Sequence, residues 1–310
     1  MAITAAMVKE LREMTGAGMM DCKKALTNTD GDMDAAVEFL RENGLAKAAK
    51  KAGRIAAEGL VAVAVSEDAK EAAIVEVNSE TDFVAKNDTF RTYVAEVADQ
   101  ALTTKAADIE GFLAEESKAE AGKTVKEALD GKIAVIGENL NIRRFAKVSA
   151  ADGFVASYIH AGGKIGVLVD VETDVINDDI KEMAKNLAMQ AAALKPLYTS
   201  RDEVDADYIE KEKEILMVQA KNEKPDANEK ILNGMVMGRI NKELKEICLL
   251  DQVYVKAEDG KQVVSKYVEE VAKANNAKIK IKKFVRFETG EGLEKKNEDF
   301  AAEVAAQMNA

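Results

Sequence analysis

At the start of the chain, apolar residues recur three and four positions apart and are interrupted by two polar turns. Met7, Val8 and Leu11 follow a capping Thr4; Thr15 to Gly18 forms a turn; Met19, Met20 and the stretch Lys23 to Leu26 resume the helical period. A second turn spans Asn28 to Gly31. Asp32 and Asp34 then supply the negative charge that a helix N-terminus favours, Val37 and Leu40 an apolar face, and Gly44 a residue suited to a left-handed C-terminal cap. The pattern predicts three short helices, continued by an Ala/Lys-rich helical linker from Leu45 to Arg54.

Beyond the linker the period changes from helix to strand, and the chain repeats itself. Val75 to Asp82 (VEVNSETD) recurs as Val167 to Asp174 (VLVDVETD), each preceded by an alternating segment, Gly59 to Val65 and Gly153 to Ile159. A helical face follows each copy: Phe90, Tyr93, Val94, Val97, Ala98 and Ala101 in the first, and Ile180, Met183, Ala184, Leu187, Ala188 and Ala191 in the second. Two related β-β-α units are therefore expected. Between them Thr103 to Lys132 reads as helical, and the apolar runs of Ile133 to Val148 as a further contribution to the sheet. Tyr198 to Lys245 reads as two charged helices split before Pro225, a projecting antiparallel hairpin inserted into the second unit. Gln252 to Lys256 and Ala277 to Phe287 read as strands that complete that unit. Glu298 to Met308 reads as a short amphipathic helix.

Composition narrows the function. Of 310 residues, 47% are hydrophobic and 32% charged, the profile of a globular chain, and with no Trp the cores are aliphatic. The net charge of -12 opposes a phosphate backbone, so no direct nucleic-acid partner is expected. The basic run Lys47, Lys50, Lys51 and Arg54 has helical spacing and is read as a solvated face. Cys22 and Cys248 are far apart, which suggests neither a disulfide framework nor a zinc site and fits a reducing cytoplasm. No apolar run approaches the ~20 residues that span a bilayer, so no membrane partner is expected.

Catalytic constellations are scarce. His160 is the sole histidine and is expected at a hairpin tip, where it is either satisfied by backbone groups or a lone general base without a recognisable nucleophile. Gly162, Gly163 and Lys164 resemble the end of a phosphate loop, but Tyr158 and Ile165 occupy the places of its first Gly and its hydroxyl residue. Asp30, Asp32 and Asp34 imitate a calcium loop, yet Ala35 and Arg41 replace the turn Gly and the closing Glu. More informative is Glu80 to Val84 (ETDFV), which sets the large apolar Phe83 at a strand-to-helix junction where the second copy has Val175. Phe83 is either core or a wedge for a partner's pocket. Met19 and Met20 pose the same choice between core filler and adaptable contact.

Four segments, taken together, resemble elongation factor Ts: Thr15 to Leu26 (TGAGMMDCKKAL), Thr81 to Val84 (TDFV), His160 to Leu168 (HAGGKIGVL) and Phe284 to Gly292 (FVRFETGEG). They occur in family order and span essentially the whole chain; Val253 departs from a position where the family often has Pro. The resemblance implies an α+β protein: a ubiquitin-associated-like three-helix module over 1–55, a first core subdomain with a helical linker over 56–152, and a second over 153–195 and 246–290. A helical hairpin over 196–245 and a C-terminal module with a helix over 291–310 complete it. It further implies a cytoplasmic, non-enzymatic guanine-nucleotide exchange factor for elongation factor Tu, without a cofactor or metal of its own. Thr81, Asp82, Phe83 and Val84 would dislodge Mg beside the partner's nucleotide pocket. Arg12, Met19, Met20, Ile136, Gly137, His160 and Gly163 would bind the partner, chiefly its GTPase domain. The C-terminal module would embrace the same partner, and the hairpin is a candidate for homodimer or heterotetramer contacts. Two other readings are an adaptor built on the N-terminal module and an enzyme using His160 as base.

Overall fold

The computed structural model describes residues 3–294. Three helices open the chain, α1 (Ala5–Thr15), α2 (Met19–Asn28) and α3 (Met33–Lys51). The Thr4 hydroxyl accepts from the Met7 amide, Gly16 ends α1 in the left-handed region, and Asp32 caps α3. Val8, Leu11, Cys22, Ala25, Leu26 and Ala36 form the small core between the three helices.

The first β-β-α unit contains β1 (Glu58–Val65), β2 (Glu71–Ser79), a one-turn helix α4 (Asp82–Lys86) and the long α5 (Asp88–Thr103). Two further helices, α6 (Ile109–Ala114) and α7 (Val125–Ile136), lead to β3 (Asn141–Ser149). The expected helical stretch from Thr103 is thus two helices joined by an irregular segment. The apolar run from Ile133 divides at Gly137, whose left-handed conformation ends α7 before the strand begins.

The helix stop expected at Gly44 does not occur. Instead α3 runs through it to Lys51, because a single Gly costs only ~1 kcal/mol in a helix and the following Ala/Lys stretch is strongly helix-forming. Gly44 serves packing: a Cβ there would stand 3.3 Å from that of Ala134 on α7.

The second unit repeats the plan with β4 (Gly153–His160), β5 (Ile165–Thr173) and α8 (Asp178–Leu194). Next comes the hairpin, α9 (Ala206–Glu223) and α10 (Glu229–Ile247), closed around Ala220, Leu232, Val236, Ile240 and Leu244. The chain returns through α11 (Val264–Ala274) to β6 (Ile279–Glu288). The strand expected over Gln252 to Lys256 is a correction as well: it makes only an isolated bridge between Val253 and Val263. Two of its backbone groups are satisfied by a side chain, since the buried Gln190 amide donates to the Val253 carbonyl (3.0 Å) and accepts from the Val255 amide (2.9 Å). Tyr254 stacks on Tyr267 of α11, ring centroids 4.2 Å apart.

Both sheets are antiparallel and three-stranded, in order β1-β2-β3 and β4-β5-β6. α5 and α8 each cover one face of their own sheet. The opposite faces meet through Val61, Ala72, Ile74 and Val148 against Val155, Leu168 and Phe287.

Register corrects the internal repeat. Gly59 lies opposite Asn78 and Gly153 opposite Glu172. A Cβ on either glycine would collide with the carbonyl oxygen of Val77 or of Val171, respectively. Val77 therefore corresponds to Val171, two residues away from the pairing that the matching letters suggest. A two-residue slip leaves every side chain on its original face, so alternation alone does not expose it. Helix α4 then stands out as an addition. Residues 80–86 separate the end of β2 from Asn87, the cap of α5, whereas residues 174–176 alone separate β5 from Asn177, the cap of α8. Val175 is thus not the counterpart of Phe83. The C-terminal helix expected from Glu298 lies outside the described residues.

Candidate functional site

The added turn carries the motif singled out in the sequence. Thr81 caps α4, its hydroxyl accepting from the Val84 amide at 3.3 Å, and Ala85 is buried with Val84 packed against the first core. Phe83 points the other way and is 80% exposed. The choice left open between core and wedge is settled as to position: the ring stands outside its own core and forgoes roughly 1.5–3 kcal/mol of burial. Lys86 lies 6.0 Å from the ring centroid and binds Asp82 at 2.6 Å. That hydrogen bond holds the Asp82 carboxyl below its ordinary value, with a weaker contribution from Lys164.

The loop at Ile136 and Gly137 grips this turn through the next residue, Glu138, which sequence reasoning passed over. The Glu138 carboxylate accepts from the Glu80 amide (3.1 Å), the Thr81 amide (3.0 Å) and the Thr81 hydroxyl (2.6 Å). Glu80 answers in kind, accepting from the Asn139 amide at 2.6 Å, while the Asn139 side chain donates to the Arg54 carbonyl. Gly137, at φ +88, turns the chain out of α7 just before Glu138. The available signal was a helix-ending Gly followed by an acid, which by itself is too common to mark a clamp.

The β4–β5 hairpin tip reaches the same sheet from the second unit. Gly163 lies against β1: its carbonyl accepts from the Val61 amide at 2.7 Å, and a Cβ would come within 2.8 Å of Leu60. Lys164 pairs with Glu58. His160 is exposed at the tip, its Nδ1 2.9 Å from the Tyr158 hydroxyl.

Thr81 to Val84, Ile136 and Gly137 are therefore joined through Glu138, and Gly163 meets the same sheet at β1. Arg12, Met19 and Met20 stay apart on the three-helix module. All three are exposed, the methionines by 59% and 73%, so neither methionine is core filler. Their module reaches the rest through α3, where Arg41 pairs with Glu127 of α7. Of the basic run, Lys47 pairs with Asp21 and Arg54 with Glu80. Among the described residues no group of three or more His, Cys, Asp or Glu is placed to hold a metal, and no helix is long and apolar enough to cross a membrane.

Comparison with known proteins agrees with this architecture. The family model described as elongation factor TS matches residues 80–291, more than half of the chain. An elongation factor Ts of Clostridium botulinum is 56% identical over 307 residues, covering 99% of both chains. Those of Clostridioides difficile and Clostridium tetani are 56% and 54% identical, each again over 99% of both chains. On these matches the chain belongs to the elongation factor Ts family.

Proposed function

We propose that the protein is a non-enzymatic, cytoplasmic guanine-nucleotide exchange factor that binds elongation factor Tu in its GDP state and speeds release of GDP. The observation that carries this reading is Phe83, a large ring 80% exposed on a turn whose backbone is fixed on both sides. In this reading Asp82 and Phe83 enter beside the partner's nucleotide pocket. His160 and Gly163 approach from the hairpin, Ile136 and Gly137 from the clamp loop, and Arg12, Met19 and Met20 from the helical module. In the same reading the chain works as a three-helix module, two core subdomains and a hairpin, with the C-terminal module adding a further contact.

Such a factor needs no covalent step. Nucleotide and factor bind the same GTPase, and each weakens the other by one coupling free energy. A bound Mg ion is the largest local positive charge facing the GDP phosphates, so a wedge that displaces the segment holding it releases the nucleotide. GTP then rebinds and expels the factor. The test is release of fluorescent GDP from purified elongation factor Tu at fixed Mg and salt. Strong acceleration at substoichiometric protein is expected. An unchanged rate with folded protein and active GTPase would refute the reading.

A further inference from the structure

We propose that Glu138 is a positioning residue for the exchange wedge, holding Phe83 in its outward orientation from the loop that follows α7; the functional part of this rests on the exchange reading above. Helix α4 has five residues, far too few to persist through its own hydrogen bonds, so its direction is set by its anchors. Two of those are apolar, Val84 and Ala85, and fix depth rather than heading. Heading is fixed at the N-terminal end. There the Glu138 carboxylate takes two successive backbone amides and the Thr81 hydroxyl proton. With that proton committed to Glu138, the hydroxyl's lone pairs are left to face the Val84 amide, which is the cap of α4. One carboxylate therefore sets both the backbone before the wedge and the rotor that caps it. Since Glu138 directly follows Ile136 and Gly137, pressure on that loop and the aim of Phe83 are mechanically one event.

The substitutions Glu138→Ala and Glu138→Gln test this in the full-length protein. The amide of Gln keeps the size of the side chain but offers only one acceptor where the carboxylate has two. Two readouts are needed. Release of fluorescent GDP from elongation factor Tu, measured against factor concentration, should show the maximal rate falling by roughly tenfold to a hundredfold for Glu138→Ala and less for Glu138→Gln. The half-saturating concentration should shift little. In a Phe83→Ala background the same substitutions should have almost no further effect, because Glu138 acts through the ring. In the free protein, amide hydrogen exchange at Glu80 and Thr81 should accelerate in Glu138→Ala while α5 stays protected.

An undiminished maximal rate, or a loss that adds in full to that of Phe83→Ala, would overturn the proposal. If the wild-type protein itself leaves GDP release unchanged, the exchange reading fails separately. Amide exchange then decides the positioning role: unchanged protection of Glu80 and Thr81 in Glu138→Ala refutes it.

Discussion

The two β-β-α units share a plan through the end of their second strands and then diverge. In the second unit residues 174–176 carry the chain directly from β5 into α8, with Val175 packed against its own core. In the first unit the equivalent link is seven residues, 80–86, long enough to form a helical turn that buries Ala85 and leaves Phe83 outside. The sheets and their covering helices are structural equipment common to both. The asymmetry lies in one short insertion, and the side chain that the core does not use is the one available for a partner.

A second asymmetry concerns buried charge. In both sheets the outer strand bulges against the central one, with Arg143 of β3 the extra residue opposite the step from Glu76 to Val77 and Lys282 of β6 the extra residue opposite the step from Asp170 to Val171. Glu76 is wholly buried and fully engaged, accepting from Arg143 (3.0 Å), Arg144 (2.6 Å), Asn78 (3.1 Å) and the Gly290 amide (2.8 Å). It thereby ties the first sheet to the chain just beyond β6. Asp170 is also buried, but its compensation comes from Lys283 and Lys282 acting at a distance, and burial pushes its carboxyl above the ordinary value. A buried charge is tolerable where donors surround it and unfavourable where they do not.

The largest effect should come from Phe90, seven positions beyond Phe83 and completely buried. Phe90→Ala should lower stability by about 3–5 kcal/mol in denaturant unfolding, whereas Phe83→Ala should stay within about 0.5 kcal/mol of wild type. Equal losses would erase the distinction between core and wedge. Next comes Gly163→Ala, which forces a side chain into a conformation at φ +106 and against Leu60. A loss of roughly 1–3 kcal/mol is expected, with the hairpin tip displaced from β1; an unchanged melting temperature would show that the two units are not locked there.

The smallest effect is expected at Asp170. Its folded pKa is raised above the unfolded one, so the ionised carboxylate opposes folding at every pH above the folded value, and the penalty fades as pH falls through it. Asp170→Asn should therefore stabilise the protein modestly at pH 7 and make no difference in acid below the unfolded carboxylate range. A destabilising Asp170→Asn at pH 7 would show that Lys282 and Lys283 compensate the charge after all.

Much of this organisation was legible because it is periodic. Helix caps at Thr4 and Asp32, the face from Phe90 to Ala101 and the hairpin around Pro225 each announce themselves within a few residues. Features set by distant contacts did not. Gly44 read as a stop because its packing against Ala134 joins parts of the chain far apart in sequence. The segment at Tyr254 read as a strand, but two of its backbone groups, the Val253 carbonyl and the Val255 amide, pair with the side chain of the distant Gln190 and not with a neighbouring strand. The repeat aligned two residues out of step because strand alternation cannot register such a slip. At the site, the sequence marked Phe83 as unusual, but only the fold shows the ring pointing outward and Glu138 holding the turn beneath it.

The central claim is that the exposed ring on the inserted turn drives nucleotide exchange, and one measurement addresses it directly. Release of fluorescent GDP from elongation factor Tu would be followed with wild-type protein and with Phe83→Ala, each at saturating concentration and with unfolding curves recorded in parallel. The account predicts unchanged stability and a maximal release rate reduced by roughly a hundredfold, equivalent to about 2.7 kcal/mol in the barrier to release. A folded Phe83→Ala protein that accelerates release as well as wild type would contradict it.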